Sequence, residues 1–337
     1  MLHVTHILTP RSHLKVFEGE LNGFLWCCVA IWAFDRVMRL ARTAYLGLVP
    51  RFMEGIKATA TYDDAAEIIR LDVTDSLSDK DITPGHYYYL YAPGHLQGYQ
   101  SHPFTLCSWR QSISRSPAAS PITKDERESQ PLMITSSSSS DKITHSFLIR
   151  PYRGFTGRLR NKLLKSPDPN SPSQLTVFLE GPYGCALDLR AFSDVLIIAG
   201  GSGIVAAISH SNFLLPTGKT SVQVVWAVQH FDLVDNVCEQ ELRGAIGDSN
   251  FDLVVYETKR ASAGVEKKTA STASRPVKNG RPDIEATIRE ARRKCTRNLA
   301  VVTCGPPRMA DACRAAVVEV LGESGPGVEF HNEAFGW

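Results

Sequence analysis

Short runs in which apolar and polar residues alternate follow one another from residue 52 to residue 110, and turn residues separate them. They are rich in β-branched and aromatic residues, which is typical of half-buried strands. Two similar runs follow residue 141, with a helix predicted between them near Gly154. The pattern predicts a small antiparallel β domain over residues 51–190. The five runs read KATATY, AEIIRLDVT, HYYYLYAP, ITHSFLIRPY and QLTVFLEGPYG.

From Asp194 onward the pattern changes. A strand, a glycine turn and a helix come first, in DVLIIAGGSGIVAAISHSNFLL, and further strands then alternate with helices toward the C-terminus. Strands that alternate with helices predict a parallel sheet covered by helices on both faces. Residues 191–337 are therefore predicted to form a doubly wound α/β domain.

Two polar stretches interrupt these patterns. Residues 111–141 contain five consecutive serines (Ser136 to Ser140), and residues 259–279 are rich in Lys, Ser and Thr. Such compositions offer little apolar surface to bury, so both stretches are predicted to be flexible insertions.

An apolar run from Leu21 to Phe34 precedes the β domain. A helix of that length spans about 21 Å, which is less than the ~30 Å hydrocarbon core of a bilayer. Three arginines follow on one helical face, and basic residues there mark the cytoplasmic side and attract anionic lipid. Residues 1–50 are interpreted as a partial membrane or juxtamembrane helix that contacts membrane lipid, with a solvated amphipathic helix as the alternative. The three arginines are Arg36, Arg39 and Arg42.

Composition excludes several classes of protein. The 337 residues, of which 43% are hydrophobic, suffice for two domains with their own cores. A net charge of +2 indicates no concentrated basic surface, so no nucleic-acid partner is predicted. The eight cysteines include no Cys-x-x-Cys pair and no zinc-like spacing with histidine, so no metal site is predicted and a reducing compartment is favoured.

A glycine-rich motif lies between the first strand and the first helix of the α/β domain. Glycine allows a tight turn and a close approach of the backbone to phosphate, and the helix start offers free N–H groups to the anion. The motif predicts a dinucleotide site, with an ordinary structural turn as the alternative. Its residues are Gly200, Gly201, Ser202, Gly203 and Ile204.

A second motif, Cys304, Gly305 and Pro306, follows a later strand. Ligands of open α/β sheets bind at the carboxyl ends of the strands. The motif is therefore a candidate for the nicotinamide side of the site, and a proline-stiffened loop is the alternative.

In the β domain, the stretch from His102 to Ser108 offers an aromatic ring that can stack on a flavin and a hydroxyl that can bond to its reactive nitrogen. The alternative makes Phe104 a core residue. Gly154 and Thr156 open a helix just after Arg150, which suits a pyrophosphate; an N-cap by Thr156 explains the same pattern.

The chain ends with two aromatic residues, Phe335 and Trp337. A tail of this kind frays, docks on a core, or covers a ring-shaped cofactor.

Taken in order, the motifs H-P-F-T, G-P-Y-G, G-G-S-G-I, G-R-P-D, C-G-P-P and the E-x-F-x-W tail resemble those of the fungal ferric-chelate reductase family, relatives of the NADPH oxidases, over about residues 20–337. The resemblance implies a ferredoxin reductase-like module of the α+β class. Its parts would be a six-stranded antiparallel FAD-binding β-barrel and a doubly wound NAD(P)-binding α/β domain, preceded by one apolar helix.

The resemblance also implies roles for single residues. Thr105, Cys304 and Trp337 would be catalytic. The FAD ring would meet His102, Pro103, Phe104, Thr105 and Ser108, and its pyrophosphate Arg150, Gly154 and Thr156. NADPH would be held by Gly200, Gly201, Ser202, Gly203, Ile204, Arg281, Cys304, Gly305 and Pro306, while Phe335 and Trp337 would cover the flavin.

Two departures from the family pattern matter. Gln229 and His230 stand where the family carries an arginine for the 2′-phosphate, so NADH is not excluded, although Arg281 or Arg260 would compensate. The family also has upstream helices that bind two haems, and at most one helix is predicted here. No haem is expected, and the chain looks truncated.

The implied function is NAD(P)H-dependent reduction of ferric or cupric chelates for metal uptake. Hydride would pass to FAD, and electrons would pass onward to a metal chelate or a haem-domain acceptor. The implied location is the plasma membrane, with the catalytic module on its cytoplasmic side. A superoxide-generating oxidase and an inactive membrane-tethered interaction module are the alternatives.

Overall fold

The computed structural model describes residues 20–52, 55–75, 82–91, 102–112, 142–166, 171–259 and 277–333. The apolar run near the N-terminus belongs to one helix, α1 (Glu20–Phe52), which extends well beyond that run. Large apolar side chains of α1 such as Trp26 and Trp32 are exposed. Among the described residues, no helix combines the length and the apolar character needed to cross a membrane.

The first sheet contains seven strands and is antiparallel throughout. Its strands are β1 (Ile56–Asp63), β2 (Ile68–Asp75), β3 (Tyr87–Tyr91), β4 (His102–Thr105), β5 (Ser108–Ser112), β6 (Lys142–Ile149) and β7 (Ser173–Tyr183). Helix α2 (Phe155–Leu164) lies between β6 and β7 in the chain. The strand order is β4-β3-β7-β1-β2-β6-β5.

The two edges of this sheet meet. β4 and β5 lie at opposite edges, yet only Leu106 and Cys107 separate them in the chain. The Leu106 N–H donates to the His86 carbonyl (2.9 Å), and the Cys107 N–H donates to the Ser146 carbonyl (3.0 Å). The antiparallel barrel-like sheet is confirmed. It has seven strands rather than six because one bent strand is divided into β4 and β5 at these two residues.

Alternation explains the interior of this sheet. Along β1, the side chains of Ala58, Ala60 and Tyr62 are buried, while the residues between them are partly exposed. The inward residues of β1 pack with Leu71 and Phe147 in one apolar cluster. The period of two that predicted the strands therefore also predicts which side chains fill the core.

The second sheet contains six parallel strands. They are β8 (Asp194–Gly200), β9 (Ser221–Val228), β10 (Phe251–Glu257), β11 (Val277–Asn279), β12 (Asn298–Cys304) and β13 (Gly327–Asn332). The helices are α3 (Ile204–Leu214), α4 (Asp232–Gln240), α5 (Ile284–Lys294) and α6 (Pro307–Leu321). The strand order is β11-β10-β9-β8-β12-β13.

Helices cover both faces of this sheet. Alternate residues of β8, such as Ile197, pack with α3 and α4 in one core cluster. The residues between them, such as Ile198, pack with α5 and α6 in another. The doubly wound arrangement is confirmed. Strand order reverses between β8 and β12, and ligands of such sheets bind in the crevice beyond the carboxyl ends of those strands.

The predicted insertions differ from the structure at their ends. Strand β5 continues to Ser112, inside the stretch predicted to be flexible from residue 111. Strand β11 lies within the predicted insertion 259–279 and pairs with β10, with Val277 opposite Val255. All three residues of β11 are exposed, so they carry no apolar pattern that predicts a strand. The rest of both insertions, residues 113–141 and 260–276, lies outside the described residues.

Candidate functional site

The two predicted motifs of the α/β domain meet at the reversal point of the parallel sheet. β8 ends at Gly200 and β12 ends at Cys304, and the two strands pair directly, with Cys304 opposite Ala199. The 200–203 turn (Gly200 to Gly203) thus lies beside Gly305 and Pro306. The sheet topology brings together residues that are about one hundred positions apart in the chain.

Contacts across this junction require glycine. A Cβ on Gly203 would lie 2.1 Å from the Cys304 carbonyl oxygen, and a Cβ on Gly200 would lie 2.8 Å from Cδ of Pro306. A Cβ on Gly305 would lie 3.1 Å from the backbone nitrogen of Gly200. The two turns therefore interlock: a larger residue at Gly203 requires movement of the backbone, and one at Gly200 or Gly305 requires the neighbouring atoms to shift.

A buried side chain of the neighbouring strand β9 also holds the 200–203 turn in place. Gly201 has φ +55°, a conformation that favours glycine. Its carbonyl accepts a hydrogen bond of 2.9 Å from the indole N–H of Trp226, which is fully buried on β9. Sequence reasoning missed Trp226, because nothing in the apolar run of β9 indicates a polar role for it.

Helix α3 starts from this turn with its N-terminus uncapped. Its N-cap residue, Gly203, has no side-chain hydrogen bond to the first turn. Ile204 is completely buried and belongs to the core, whereas Ser202 is half-buried. The Ile204 N–H donates to the carbonyls of Gly201 and Ser202, so a short 3-10 turn leads into the helix. A glycine turn at such a helix start fits the pyrophosphate of a dinucleotide.

Cys304 is enclosed. Its side chain is completely buried, and its sulfur would lie 3.1 Å from a Cβ on Gly203. Burial, with a smaller contribution from the Glu333 carboxylate, raises the pKa of the Cys304 thiol well above its usual value. The group is a neutral thiol at neutral pH, so it does not act there as a thiolate nucleophile.

The predicted flavin residues lie on β4 and around the start of α2. The His102 ring stacks on the Phe155 ring with 5.4 Å between centroids, and Phe104 lies 6.3 Å from the same ring. Burial and the nearby Arg158 lower the pKa of His102, which keeps its imidazole neutral at pH 7. Pro103, Phe104 and Thr105 are half-buried, which leaves part of each accessible to a ligand.

The 154–157 turn (Gly154 to Gly157) opens α2. Gly154 is the N-cap residue, with φ +83° and no side-chain capping bond. The Thr156 hydroxyl accepts a 2.8 Å hydrogen bond from the Tyr152 N–H, so the alternative that Thr156 is the N-cap is wrong. A Cβ on Gly157 would lie 2.3 Å from the Tyr152 carbonyl oxygen, which requires glycine there too. This is a second uncapped helix start.

Arg150, four residues before the 154–157 turn, reaches toward the 200–203 turn. Its Nη2 lies 3.4 Å from Oε2 of Glu67, and its Nη1 would lie 3.9 Å from a Cβ on Gly201. One third of the arginine side chain is exposed. A guanidinium in this position is available to a phosphate bound by either of the two domains.

Ser108 is placed differently from the other predicted flavin residues. Its side chain is buried, and its hydroxyl donates to Oε2 of Glu241 at 3.3 Å. Glu241 follows α4 in the α/β domain, so the Ser108 hydroxyl makes a contact between the domains.

A carboxylate that was not predicted lies near the junction. Oε1 of Glu333 is 2.7 Å from Nε2 of the buried His210 on α3, and it would lie 3.7 Å from a Cβ on Gly85. The glutamate of the E-x-F-x-W motif was the available signal in the sequence. His210, which lies between Ser209 and Ser211 on α3, gave none.

The remaining predicted residues lie farther along the sheet or outside the described residues. Gln229 and His230 are exposed just after β9, next to β8. Arg281 is exposed and follows β11, the edge strand. Phe335 and Trp337 lie outside the described residues, as does Arg260. Within the described part of the chain, no group of three or more potential ligands is arranged to hold a metal ion.

Two family profiles match the chain. One, described as a ferric reductase NAD binding domain, matches residues 192–318. The other, described as an FAD-binding domain, matches residues 119–187. The first contains the 200–203 turn and Cys304, and the second contains Arg150 and the 154–157 turn.

Fungal proteins are similar over nearly the whole chain. Ferric reductase transmembrane component 4 of Saccharomyces cerevisiae is 25% identical over 98% of this chain and 46% of its own length. Ferric/cupric reductase transmembrane component 1 of Candida albicans is 26% identical over 100% of this chain and 42% of its own length. The probable cell surface ferric reductase kap2 of Aspergillus oryzae is 30% identical over 66% of this chain and 27% of its own length. The chain thus spans less than half the length of these relatives.

Among solved structures, a ferredoxin NADP+ reductase from Neisseria gonorrhoeae with bound FAD and NADP is 12% identical, with a TM-score of 0.49. The likeness covers 83% of this chain and 99% of that one.

Proposed function

We propose that this chain, which belongs to the ferric reductase family, passes hydride from NAD(P)H to FAD and electrons onward to ferric or cupric chelates for metal uptake. The observation that carries the proposal is the position of Arg150. It comes from the FAD-binding domain, yet its guanidinium would lie 3.9 Å from a Cβ on Gly201 in the NAD-binding domain. A basic residue of one domain this close to the glycine turn of the other supports two neighbouring nucleotides whose rings would share a cleft.

The chain's own residues bind and orient the two nucleotides. Backbone N–H groups of the 200–203 turn and the start of α3 would hold the NAD(P)H pyrophosphate, and Arg150 with the 154–157 turn would hold that of FAD. Bound FAD supplies the conversion between a two-electron donor and one-electron acceptors. Phe104 and the Thr105 hydroxyl would contact the flavin ring. The neutral, enclosed Cys304 would support the 200–203 turn, and Gly305 and Pro306 would line the nicotinamide side.

Few positively charged side chains are placed to favour NADPH over NADH by binding its 2′-phosphate. Gln229 and His230 are exposed next to the 200–203 turn and offer no permanent positive charge to a 2′-phosphate. Arg281, at the far edge of the sheet, is the candidate for that contact in the described part of the chain, and Arg260 is another candidate. We propose that NADPH is the donor. Its preference over NADH would be small, because it would depend on one arginine contact to the 2′-phosphate.

The acceptor and the location follow from the relatives. They are named ferric or ferric/cupric reductases and transmembrane components, so a membrane location is the common feature. We propose the plasma membrane, with the catalytic module on the cytoplasmic side and α1 in contact with lipid. The arginines of α1, including Arg36 and Arg39, would face the anionic cytoplasmic leaflet.

The test is an anaerobic titration of the purified full chain, reconstituted with FAD. NADPH should bleach the flavin absorption band, and ferric citrate should restore it with stoichiometric Fe(II). The Gly203→Ala variant is the matched control for nucleotide binding. A wild-type flavin that neither NADPH nor NADH bleaches would contradict the proposal, and superoxide in excess of Fe(II) in air would favour the oxidase alternative.

A further inference from the structure

The interface between the two domains is built like a protein interior. Ile68, Cys107 and Leu148 of the first sheet belong to the same buried apolar cluster as Val234 and Leu242 of the α/β domain. Each of these five side chains is less than a tenth exposed. The domains therefore share one core, and their relative position is set by packing.

A buried ion pair lies within this shared core. Nε of Arg70 on β2 donates to Oε1 of Glu241 at 2.9 Å, and the two side chains are 12% and 4% exposed. The second carboxylate oxygen accepts the hydrogen bond from Ser108. Both oxygens of Glu241 are thus bound by residues of the other domain.

A second polar contact runs alongside the pair. Nη2 of Arg70 donates to Oδ1 of Asn236 at 3.3 Å, and Nδ2 of Asn236 donates to Oδ2 of Asp63 at 2.7 Å. Asn236 on α4 and Glu241 just after it therefore contact three residues of β1, β2 and β5. Directional bonds from the middle of α4 and from the residue just after it fix the rotation of the helix as well as its distance from the first sheet.

Stability alone does not explain this arrangement. A buried ion pair gains little over apolar residues of similar volume, because removing two charges from water offsets their attraction. Hydrogen-bond geometry, in contrast, tolerates only a few tenths of an ångström. Ser108 opens β5, which follows β4 after only Leu106 and Cys107, so Glu241 holds the chain three residues beyond Thr105, the predicted flavin contact.

We propose that Glu241, with Arg70 and Ser108, is a positioning residue: it sets the alignment of the FAD-binding strand with the NAD-binding domain. The proposal rests on the proposed hydride transfer between the two nucleotides. A displacement of about 1 Å between reacting groups lowers a rate up to ~100-fold without preventing binding. Loss of the contact should therefore affect transfer more than affinity.

The experiment measures three quantities in the FAD-loaded full chain: FAD content, the NAD(P)H dissociation constant, and the limiting rate of flavin bleaching by stopped-flow. The main variant is Arg70→Met with Glu241→Leu, which removes both charges together and keeps the interface filled. We expect FAD content and the dissociation constant within about 2-fold of wild type, and a limiting rate lower by ~10-fold or more. A matched control, Glu285→Gln, removes an exposed ion pair with Arg289 on α5 and should leave all three unchanged.

Ser108→Ala is the milder second variant, because it removes a single hydroxyl group, and we expect it to fold even where the double variant does not. It should keep FAD and lower the limiting rate about 2- to 5-fold, and it should add no further loss in the double-variant background, because one contact is already broken. A normal limiting rate in the double variant, or in Ser108→Ala where the double variant does not fold, would overturn the proposal. So would loss of FAD in Ser108→Ala, since that would make Ser108 a direct FAD contact. Failure of the proposed function itself would appear separately, as a wild-type flavin that NAD(P)H does not bleach.

Discussion

The two glycine turns predicted to hold pyrophosphates are rigid for different reasons. At the 200–203 turn, glycine is required by atoms from distant parts of the chain: the Cys304 carbonyl against Gly203 and Pro306 against Gly200. At the 154–157 turn, a Cβ on Gly154 would meet nothing within 4 Å, and glycine is favoured by φ +83° alone. The contact that requires Gly157 is with Tyr152, only five residues away.

This difference indicates that the 200–203 turn is formed before its ligand binds. The 200–203 turn is built into the carboxyl edge of a buried sheet and is held by Trp226, so folding of the sheet places its N–H groups. The 154–157 turn is partly exposed and depends on local bonds such as the one between Tyr152 and Thr156. We therefore expect NAD(P)H affinity to follow the integrity of the core, and FAD affinity to follow local backbone conformation.

The largest expected effect comes from Gly203→Ala. The new Cβ would lie 2.1 Å from the Cys304 carbonyl oxygen, so the turn or β12 must move. The added methyl points at the protein rather than at the nucleotide, so binding fails through displacement of the turn. We expect NAD(P)H affinity to fall ~100-fold or more, and the free energy of unfolding to fall by about 1–3 kcal/mol. Isothermal titration and urea unfolding measure the two.

Gly327→Ala is the matched control for that variant, because its Cβ would meet nothing within 4 Å. It should change neither quantity. Wild-type NAD(P)H affinity in folded Gly203→Ala would mean that the nucleotide binds elsewhere.

The periodic patterns of the sequence were sufficient to predict both sheets and the placement of the glycine motifs at strand ends. They were sufficient because strand and helix periods are local, and because β8 and β12 are long and apolar. Strand β13 was missed since none of its six residues is fully buried, and β11 was missed since its three residues are exposed. A parallel edge strand of that length is stabilised by its neighbour rather than by its own composition.

The partners of site residues were not predictable in the same way. Ser108 and Glu241 are 133 positions apart, and His210 and Glu333 are 123 apart. Such contacts depend on how the domains and the end of β13 pack, which no local pattern records. Ser108 was assigned to the flavin from its motif alone. The structure gives its hydroxyl a partner in the other domain.

A smaller effect should follow Gly154→Ala. Alanine disfavours φ +83°, at a cost of about 1–3 kcal/mol, although no atom blocks the methyl group. We expect FAD to bind about tenfold more weakly, with NAD(P)H affinity unchanged in the FAD-saturated protein. Flavin fluorescence titration measures the first.

Gly218→Ala provides the control for backbone strain, since Gly218 also has positive φ (+63°) and open space around it. It should lower stability without affecting FAD. Equal FAD loss in both variants would show that general destabilisation, not the 154–157 turn, controls flavin binding.

Trp226→Phe tests the support under the 200–203 turn. Phenylalanine keeps most of the buried ring but removes the N–H that donates to Gly201. A hydrogen bond contributes about 0.5–1.5 kcal/mol net, so NAD(P)H affinity should fall roughly 2- to 10-fold while FAD content stays constant. Trp109→Phe, at a half-buried position near Phe213, is the control. An unchanged NAD(P)H dissociation constant would show that the turn keeps its shape without this bond.

The smallest expected effect concerns Cys304, which lies beneath the 200–203 turn: its thiol should react very slowly with alkylating reagents. Burial raises the pKa of this thiol, so the reactive thiolate is scarce, and the neutral form stabilises the fold up to the unfolded pKa near ~8.5–9. That stabilisation is lost as pH rises further. With iodoacetamide between pH 7 and 9, mass spectrometry should find the exposed Cys185 labelled and Cys304 unmodified until the protein unfolds. Labelling of Cys304 as fast as Cys185 at pH 8 would instead mean that the turn opens in solution. In that case the 200–203 turn would be no more preformed than the 154–157 turn.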